Sequence, residues 1–510
     1  GAAYYYDNKI VIWASPLNFE LRGSHRWLQN VITHEYAHIV SLQKSMKMGN
    51  KIPGAYFQFM GYEKEKRKDV LYGFPNSLVS YPIPGTVVPP WLAEGIAQYM
   101  YDGADWDHWD THRDMILRDR AINKNLLSFN EMNTFGKKGI GNESTYNSGF
   151  ALSRYIVFKY GSDIIKDLMT ELSSPLQYSI NDAFYNLLDI EGEEIYDDFV
   201  STLEERYNKL VSTIEVNHTN PIIIKDEGTT NMFPVWAPDS NVFAYLSNKN
   251  NDYFGQTDLF IHNLDNDVEQ KISGSVFSAP TWNPDGNIIY YSKKPKFPDK
   301  NGSRYYDIYE YDLSSKKEKR LTFGARSFSP VFIESDSSIA FLATNDGSQD
   351  VYIYNIGQDK ITQITDIESR PILSSLQYNY FDNSLYFDIS FHHYRDIAKI
   401  SLDDSTYKIV LNNDLWDERN VTFSKDGAFI YTDDKSGIFN LYMIDEKNGV
   451  QGYITNVFGG SFMPNINSDG RVLYSLYKDG GYKIAVIDTV NIIDDDLVGY
   501  SKTYYKINEN

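Results

Sequence analysis

Through about residue 215, apolar positions recur mostly at spacings of three and four. Leu28, Val31, Ile32, Ile39 and Leu42 form one such set; "FALSRYIVFK" (Phe150–Lys159), Asp163–Leu172 and Ile195–Val211 form others. That period belongs to helices with one apolar stripe. Ahead of the first set, "KIVIWASP" (Lys9–Pro16) is a short apolar run closed by proline, which predicts a buried strand. The first part of the chain is therefore expected to be helix-rich with a little sheet.

Beyond residue 219 the pattern changes to short strands with turn residues between them, and it repeats. "PVWAPDSNVFAYLSN" (Pro234–Asn248) recurs as "PTWNPDGNIIYYSKK" (Pro280–Lys294) and "PVFIESDSSIAFLAT" (Pro330–Thr344). Fainter copies begin near Ser375, Asn420 and Met463. The turn residues Asp239, Asp285, Asp336, Asp382, Asp426 and Asp469 lie 46, 51, 46, 44 and 43 apart. Each Asp-Gly, Asp-Ser or Asp-Asn sits between two apolar runs, as a hairpin turn does. A third run follows in every copy ("DLFIHNL", "DIYEYDL", "DVYIYNI", "DIAKISL", "NLYMIDE", "YKIAVID") and a fourth in most. Four strands in about 45 residues is the pattern of a propeller blade. Six copies predict six blades over 219–490, and "NPIIIKDEG" (Asn220–Gly228) reads as the fourth strand that the last copy lacks. Residues 219–229 are thus expected to close the ring and hide its free edges.

These repeats resemble the TolB-type six-bladed propeller family, with its P-x-W-x-P-D-G strand and turn. The resemblance implies a platform that binds proteins or peptides rather than a catalyst. The tail, 491–510, is left unassigned.

Composition acts mainly by exclusion. Hydrophobic residues at 42% and charged residues at 23% describe a folded protein, and no apolar run approaches a membrane-spanning length. A balance of 48 basic to 69 acidic residues, net −21, argues against nucleic acid as a partner. With no cysteine there is neither a disulfide nor a thiolate ligand, so imidazole and carboxylate must hold any metal. The chain opens on Gly1 rather than Met, compatible with a processed N-terminus and a signal peptide outside the sequence.

One stretch carries metal chemistry. In "NVITHEYAHIVSLQ" (Asn30–Gln43), His34 and His38 lie four apart, one helical turn above each other, and can direct ring nitrogens at one ion about 2.1 Å away. Glu35 sits about 100° round the helix, placed to hold a water without ligating the ion. The bland alternative is a surface helix with two solvated histidines. Val31, Ile32, Ile39 and Val40 argue against it, because buried imidazoles need partners. A third ligand is required, and Glu94 in "PPWLAEGIAQYM" (Pro89–Met100) is the candidate, on the first turns of a second apolar helix. Its alternative is an N-terminal carboxylate favoured by the helix dipole.

His-Glu-x-x-His together with Trp-x-x-Glu-Gly-x-Ala resembles the gluzincin metallopeptidases, over roughly residues 5–210. The resemblance implies a thermolysin-like fold in 1–215, one zinc ion on His34, His38 and Glu94, and Glu35 as general base. "STYNSGFALSRYIVFKYGSD" (Ser144–Asp163) also resembles the family, and places Tyr146, ahead of a glycine-containing helix, as an oxyanion donor. Two departures stand out. The 55 residues between His38 and Glu94 imply an insertion over 44–90, with the charged patch "EKEKRKD" (Glu63–Asp69). Gln98 stands where other members carry an aspartate. His108 and His112, four apart but without the glutamate, read as a polar, partly exposed segment, with a role in the cleft as the alternative, and His25 as structural.

The expectation is a multidomain α+β chain: a helix-rich zinc peptidase domain followed by an all-β six-bladed propeller. It would hydrolyse peptide bonds in a protein or peptide substrate, and the propeller would bind that substrate or a protein partner. Export to the bacterial periplasm or cell surface is implied by the family pairing. The alternative is a non-catalytic scaffold in a larger assembly with a vestigial or structural metallopeptidase domain.

Overall fold

The computed structural model describes residues 1–12, 27–47, 55–61, 77–83, 85–100, 110–135, 140–251, 254–335, 337–391, 394–413 and 415–499. His25, Glu63–Asp69, His108 and Asp336 lie outside them. The chain divides into two compact units, Gly1–Lys209 and Leu210–Asn510.

Among the described residues the first unit is built from seven helices: α1 (Trp27–Lys44), α2 (Pro90–Tyr99), α3 (Thr111–Ile122), α4 (Glu143–Tyr160), α5 (Asp163–Leu172), α6 (Ile180–Leu188) and α7 (Gly192–Glu215), which runs on past its boundary. Of the run at Lys9 the described part, 9–12, holds a strand, Lys9–Val11, that pairs with Ala2–Tyr4 and is partly exposed rather than buried; residues 13–16 lie outside the described residues. A hairpin pairs Ala55–Gly61 with Ser77–Ile83 within the expected insertion.

Helix starts follow local chemistry. Pro89 is extended at the head of α2 and Pro90 occupies the first turn, where a missing N–H costs nothing. Asp110 caps α3 by accepting from the Arg113 N–H at 2.9 Å. α4 ends at Gly161, whose φ of +87° suits glycine. On α1 the period was right, but only the Ile39 and Leu42 part of the apolar set is covered. Leu28, Ile32, Tyr36 and Val40 are exposed, while Glu35, His38, Ile39 and Ser41 are buried. Ile39 and Met46 pack with Tyr5 beside the N-terminal strands, which turns the polar face inward.

The second unit is a ring of six four-stranded antiparallel sheets. Blade 1 runs Asn231–Trp236, Val242–Ser247, Asp258–Asn263, Val268–Ser273; its repeats follow in order to blade 5, which ends at Val450–Tyr453. Blade 6 holds Gly460–Ile466, Val472–Lys478 and Gly481–Ile487, and its outer strand is Ile222–Lys225, paired through Ala485↔Ile223. The apolar core lies between blades. One cluster joins Leu342 and Val351 of blade 3 to Leu385 and Phe387 of blade 4, and another joins Leu473 and Ile484 of blade 6 to Phe243 and Tyr245 of blade 1. That last cluster joins the sixth blade to the first, and the borrowed strand gives the sixth blade its fourth strand, so the ring is closed. From the tail, Ile493 bridges back to Tyr453.

The innermost strands of five blades carry a register shift, with a left-handed residue in each: Phe233, Ser329, Ser375, Asn420 and Met463. They line the central channel. The bulge bends each strand where the blades converge.

Blade 5 buries Glu418, which is 7% exposed. Trp416 Nε1 donates to its Oε1 at 3.4 Å, and Oε2 has no partner among the described residues. Burial, with Asp396 and Asp434 nearby, pushes its pKa up to about 7 from 4.5. Between those values the folded chain keeps a proton that the unfolded chain has released, so stability falls as pH rises through that window. Glu418→Gln should remove this slope, gaining on the order of 2 kcal/mol relative to wild type at pH 8 but little at pH 4. Thermal melts of both proteins across that range check it, and parallel curves would contradict it.

Candidate metal centre

α1 and α2 bring three donors to one point. His34 Nε2 lies 3.0 Å from Glu94 Oε2, His38 Nε2 lies 3.2 Å from the same oxygen, and the two ring nitrogens are 3.0 Å apart. Among the described residues this is the one group of three or more such side chains close enough to share an ion. His38 and Glu94 are each 8% exposed.

The protons do not fit such a triangle well without a cation. Glu94 can accept from both rings only if each carries its proton on Nε2, and then two N–H groups face each other at 3.0 Å. Burial by itself would raise the Glu94 pKa, but hydrogen bonds and charge from His34 and His38 outweigh it and hold the carboxyl well below the usual range. Burial would likewise lower His38, yet Glu94 and the charge of Glu35 raise it. Tetrahedral zinc separates its nitrogen and oxygen ligands by roughly 3.3 Å, close to the distances here, and two imidazoles with one carboxylate are a donor set zinc takes. The residues fit the ion.

Glu35 follows His34 on α1, is 7% exposed, and stands outside the three-donor group although its charge reaches His38. Tyr146 lies inside the first turn of α4 rather than ahead of the helix, because α4 already begins at Glu143. Its ring stacks on His34 with centroids 6.3 Å apart, and on Phe135 at 5.8 Å. Thus the structure gathers all five residues picked out from sequence around α1, α2 and α4.

A glycine contact sets the spacing of two of these helices. A β-carbon on Gly149 of α4 would sit 2.3 Å from the Trp91 carbonyl oxygen of α2, and one on Gly95 would sit 2.4 Å from the Gly149 carbonyl. Only glycine allows so close a crossing, and the crossing fixes Glu94 relative to Tyr146.

Behind α2 lies polar structure that the sequence reading missed. His112, expected to be partly exposed, is 1% exposed, and Arg113, Asp114 and Arg118 of α3 are equally hidden. Arg113 Nη1 donates to Gln98 Oε1 at 2.9 Å, one turn beyond Glu94. Arg118 pairs with Asp114, which also accepts from the Tyr207 hydroxyl at 2.9 Å. These charges satisfy one another, so the helix is buried although its sequence looks solvated. The Asp114–Arg118 spacing of four was the available signal.

No family model matches this chain, and no curated protein matches it. Among solved structures it is similar to TolB from Acinetobacter baumannii, at 16% identity over 60% of this chain and 73% of that one, TM-score 0.38. It is also similar to an oligogalacturonate lyase from Vibrio parahaemolyticus, at 13% over 51% and 78%, TM-score 0.37. The β-propeller domain of the Trilobed protease from Pyrococcus furiosus is similar at 15% over 53% and 85%, TM-score 0.35. Likenesses this slight carry no argument about activity, and the six-bladed ring stands on its own strand order and inter-blade cores.

Proposed function

We propose that the chain is a zinc-dependent peptidase whose propeller binds a protein or peptide, either as substrate or as partner. The observation that supports this most is the convergence of His34, His38 and Glu94 to within 3.0–3.2 Å with Glu35 beside them. His34 Nε2, His38 Nε2 and Glu94 Oε2 would hold the ion. When bound, zinc would supply a Lewis acid for the scissile carbonyl and a water of lowered pKa.

The chain's own groups do the rest. The Glu35 carboxylate takes a proton from the attacking water and returns it to the leaving amine. Its burial keeps bulk water from competing for that proton. The Tyr146 hydroxyl donates a hydrogen bond to the oxygen that gains charge as the carbonyl becomes tetrahedral. Arg113, through Gln98, steadies the α2 turn that carries Glu94.

The pairing of such a peptidase with a TolB-like propeller leads us to propose export to the periplasm or cell surface. No helix among the described residues is long and apolar enough to cross a membrane.

Hydrolysis of casein or a peptide library tests the proposal: cleavage should stop with a chelator and return with zinc. Tyr146→Phe should lower kcat roughly 100-fold with KM little changed. One observation favours a scaffold instead. His38 Nδ1 is buried with no partner among the described residues, whereas a ligating histidine usually donates that N–H. A folded protein with no chelator-sensitive cleavage would favour that second reading.

A further inference from the structure

In a chain of net charge −21, one part of the propeller is locally basic. The loop joining Ile288–Lys293 to Asp307–Asp312 carries Lys294, Lys296, Lys300 and Arg304 against a single acid, Asp299. The connection from blade 2 into blade 3 adds Arg326, directly before Ser327–Ile333.

Nearby acids are already engaged. Glu318 pairs with Lys293 at 2.6 Å and Asp307 with Arg320 at 2.5 Å. Asp299 Oδ1 accepts from the backbone N–H groups of Asn301 and Ser303 at 2.9 and 2.8 Å. Among the described residues, none of the five basic side chains has a carboxylate within ion-pair reach.

Three of the five, Lys294, Lys296 and Arg326, lie on aromatic rings. Lys294 Nζ is 4.9 Å from the centre of Tyr306, and Arg326 Cζ is 4.4 Å from that of Tyr305. Phe277 packs at 4.8 Å on Tyr306 and at 6.4 Å from Phe328. Lys294 is half-buried; burial and then the charge of Arg304 hold its pKa below the usual lysine range. Arg304 Nη1 donates to the Pro295 carbonyl at 3.4 Å, while its Nε is buried without a partner among the described residues. Like charges brought together and partly dehydrated are costly unless an anion joins them.

The chemistry of that anion can be narrowed. Lys294, Arg304 and Arg326 come from two separate loops, more positive charge than one terminal carboxylate neutralises. A long polyanion such as nucleic acid would extend beyond the patch onto an acidic protein. Cations backed by aromatic faces suit carboxylates that alternate with apolar side chains.

We propose that the loops around Lys294, Arg304 and Arg326 form a docking site for the acidic side chains of a polypeptide segment. This holds whether or not the first unit cleaves peptide bonds.

The test uses the full chain and a fluorescent, C-terminally amidated peptide alternating Glu with Phe and Tyr, followed by anisotropy. Binding should weaken about tenfold or more when Gln replaces each Glu in the peptide, and should fall with added salt. The triple variant Lys294→Gln, Arg304→Gln, Arg326→Gln should lose a similar factor, while Lys447→Gln, on blade 5, should bind as wild type. Equal binding of the Gln peptide to wild-type protein would overturn the proposal without reliance on any variant. So would a triple variant that binds normally, or an acidic oligosaccharide or RNA that binds while the Glu peptide does not.

Discussion

Glu35→Gln is expected to lower kcat/KM for peptide hydrolysis by roughly 10²- to 10⁴-fold, the usual worth of a positioned general base. The change is nearly isosteric and removes only the ability to take and return a proton. Glu35 stands outside the group formed by His34, His38 and Glu94, so the metal content of the variant should match wild type. Its melting temperature should shift little, because among the described residues its one ion pair is a long contact, 3.8 Å, with the Gly1 ammonium. Activity lost with metal retained would identify a base. Activity lost with metal would make Glu35 a support for the ligands instead, and unchanged activity would remove it from the mechanism.

Gly149→Ala is expected to fail differently. Its new β-carbon would meet the Trp91 carbonyl oxygen at 2.3 Å, and backbone cannot swing aside as a side chain can. Overpacking of this kind costs about 1–3 kcal/mol, and the upper end is expected where both sides of the contact are helix backbone. The strain has one outlet, separation of α2 from α4, which would carry Glu94 away from Tyr146. Stability, metal binding and hydrolysis should therefore fall together. Chemical denaturation with parallel metal analysis checks this; a variant as stable as wild type would show that the crossing has slack.

How much of this can be read from the chain follows from how local each feature is. The blades are legible because a two-residue period and an Asp-Gly or Asp-Ser turn are properties of fewer than twenty adjacent residues. The strand at Ile222–Lys225 is legible only by arithmetic, since the sixth repeat lacks a fourth strand. His34 and His38 share one helix, and their common face follows from its pitch. Glu94 is harder, being 56 residues from His38, yet the residues around it supply enough pattern to single it out.

The misses are tertiary. Periodicity gives α1 the set Leu28, Val31, Ile32, Ile39 and Leu42, but does not show that Ile39 and Leu42 are covered while Leu28 and Ile32 are exposed. In "THRDMILRDR" the charges look solvated because nothing local says that Asp114, Arg118 and Tyr207 will satisfy one another. The Gly95–Gly149 approach joins two helices whose sequences give no sign of meeting.

The central claim is that His34, His38 and Glu94 hold a metal ion, and elemental analysis of the purified full chain addresses it most directly. The account predicts close to one zinc per chain without added metal, removed by chelators, restored by zinc, and lost in Glu94→Ala although the propeller remains folded. A well-folded wild-type chain that neither carries zinc nor takes it up when supplied would contradict it.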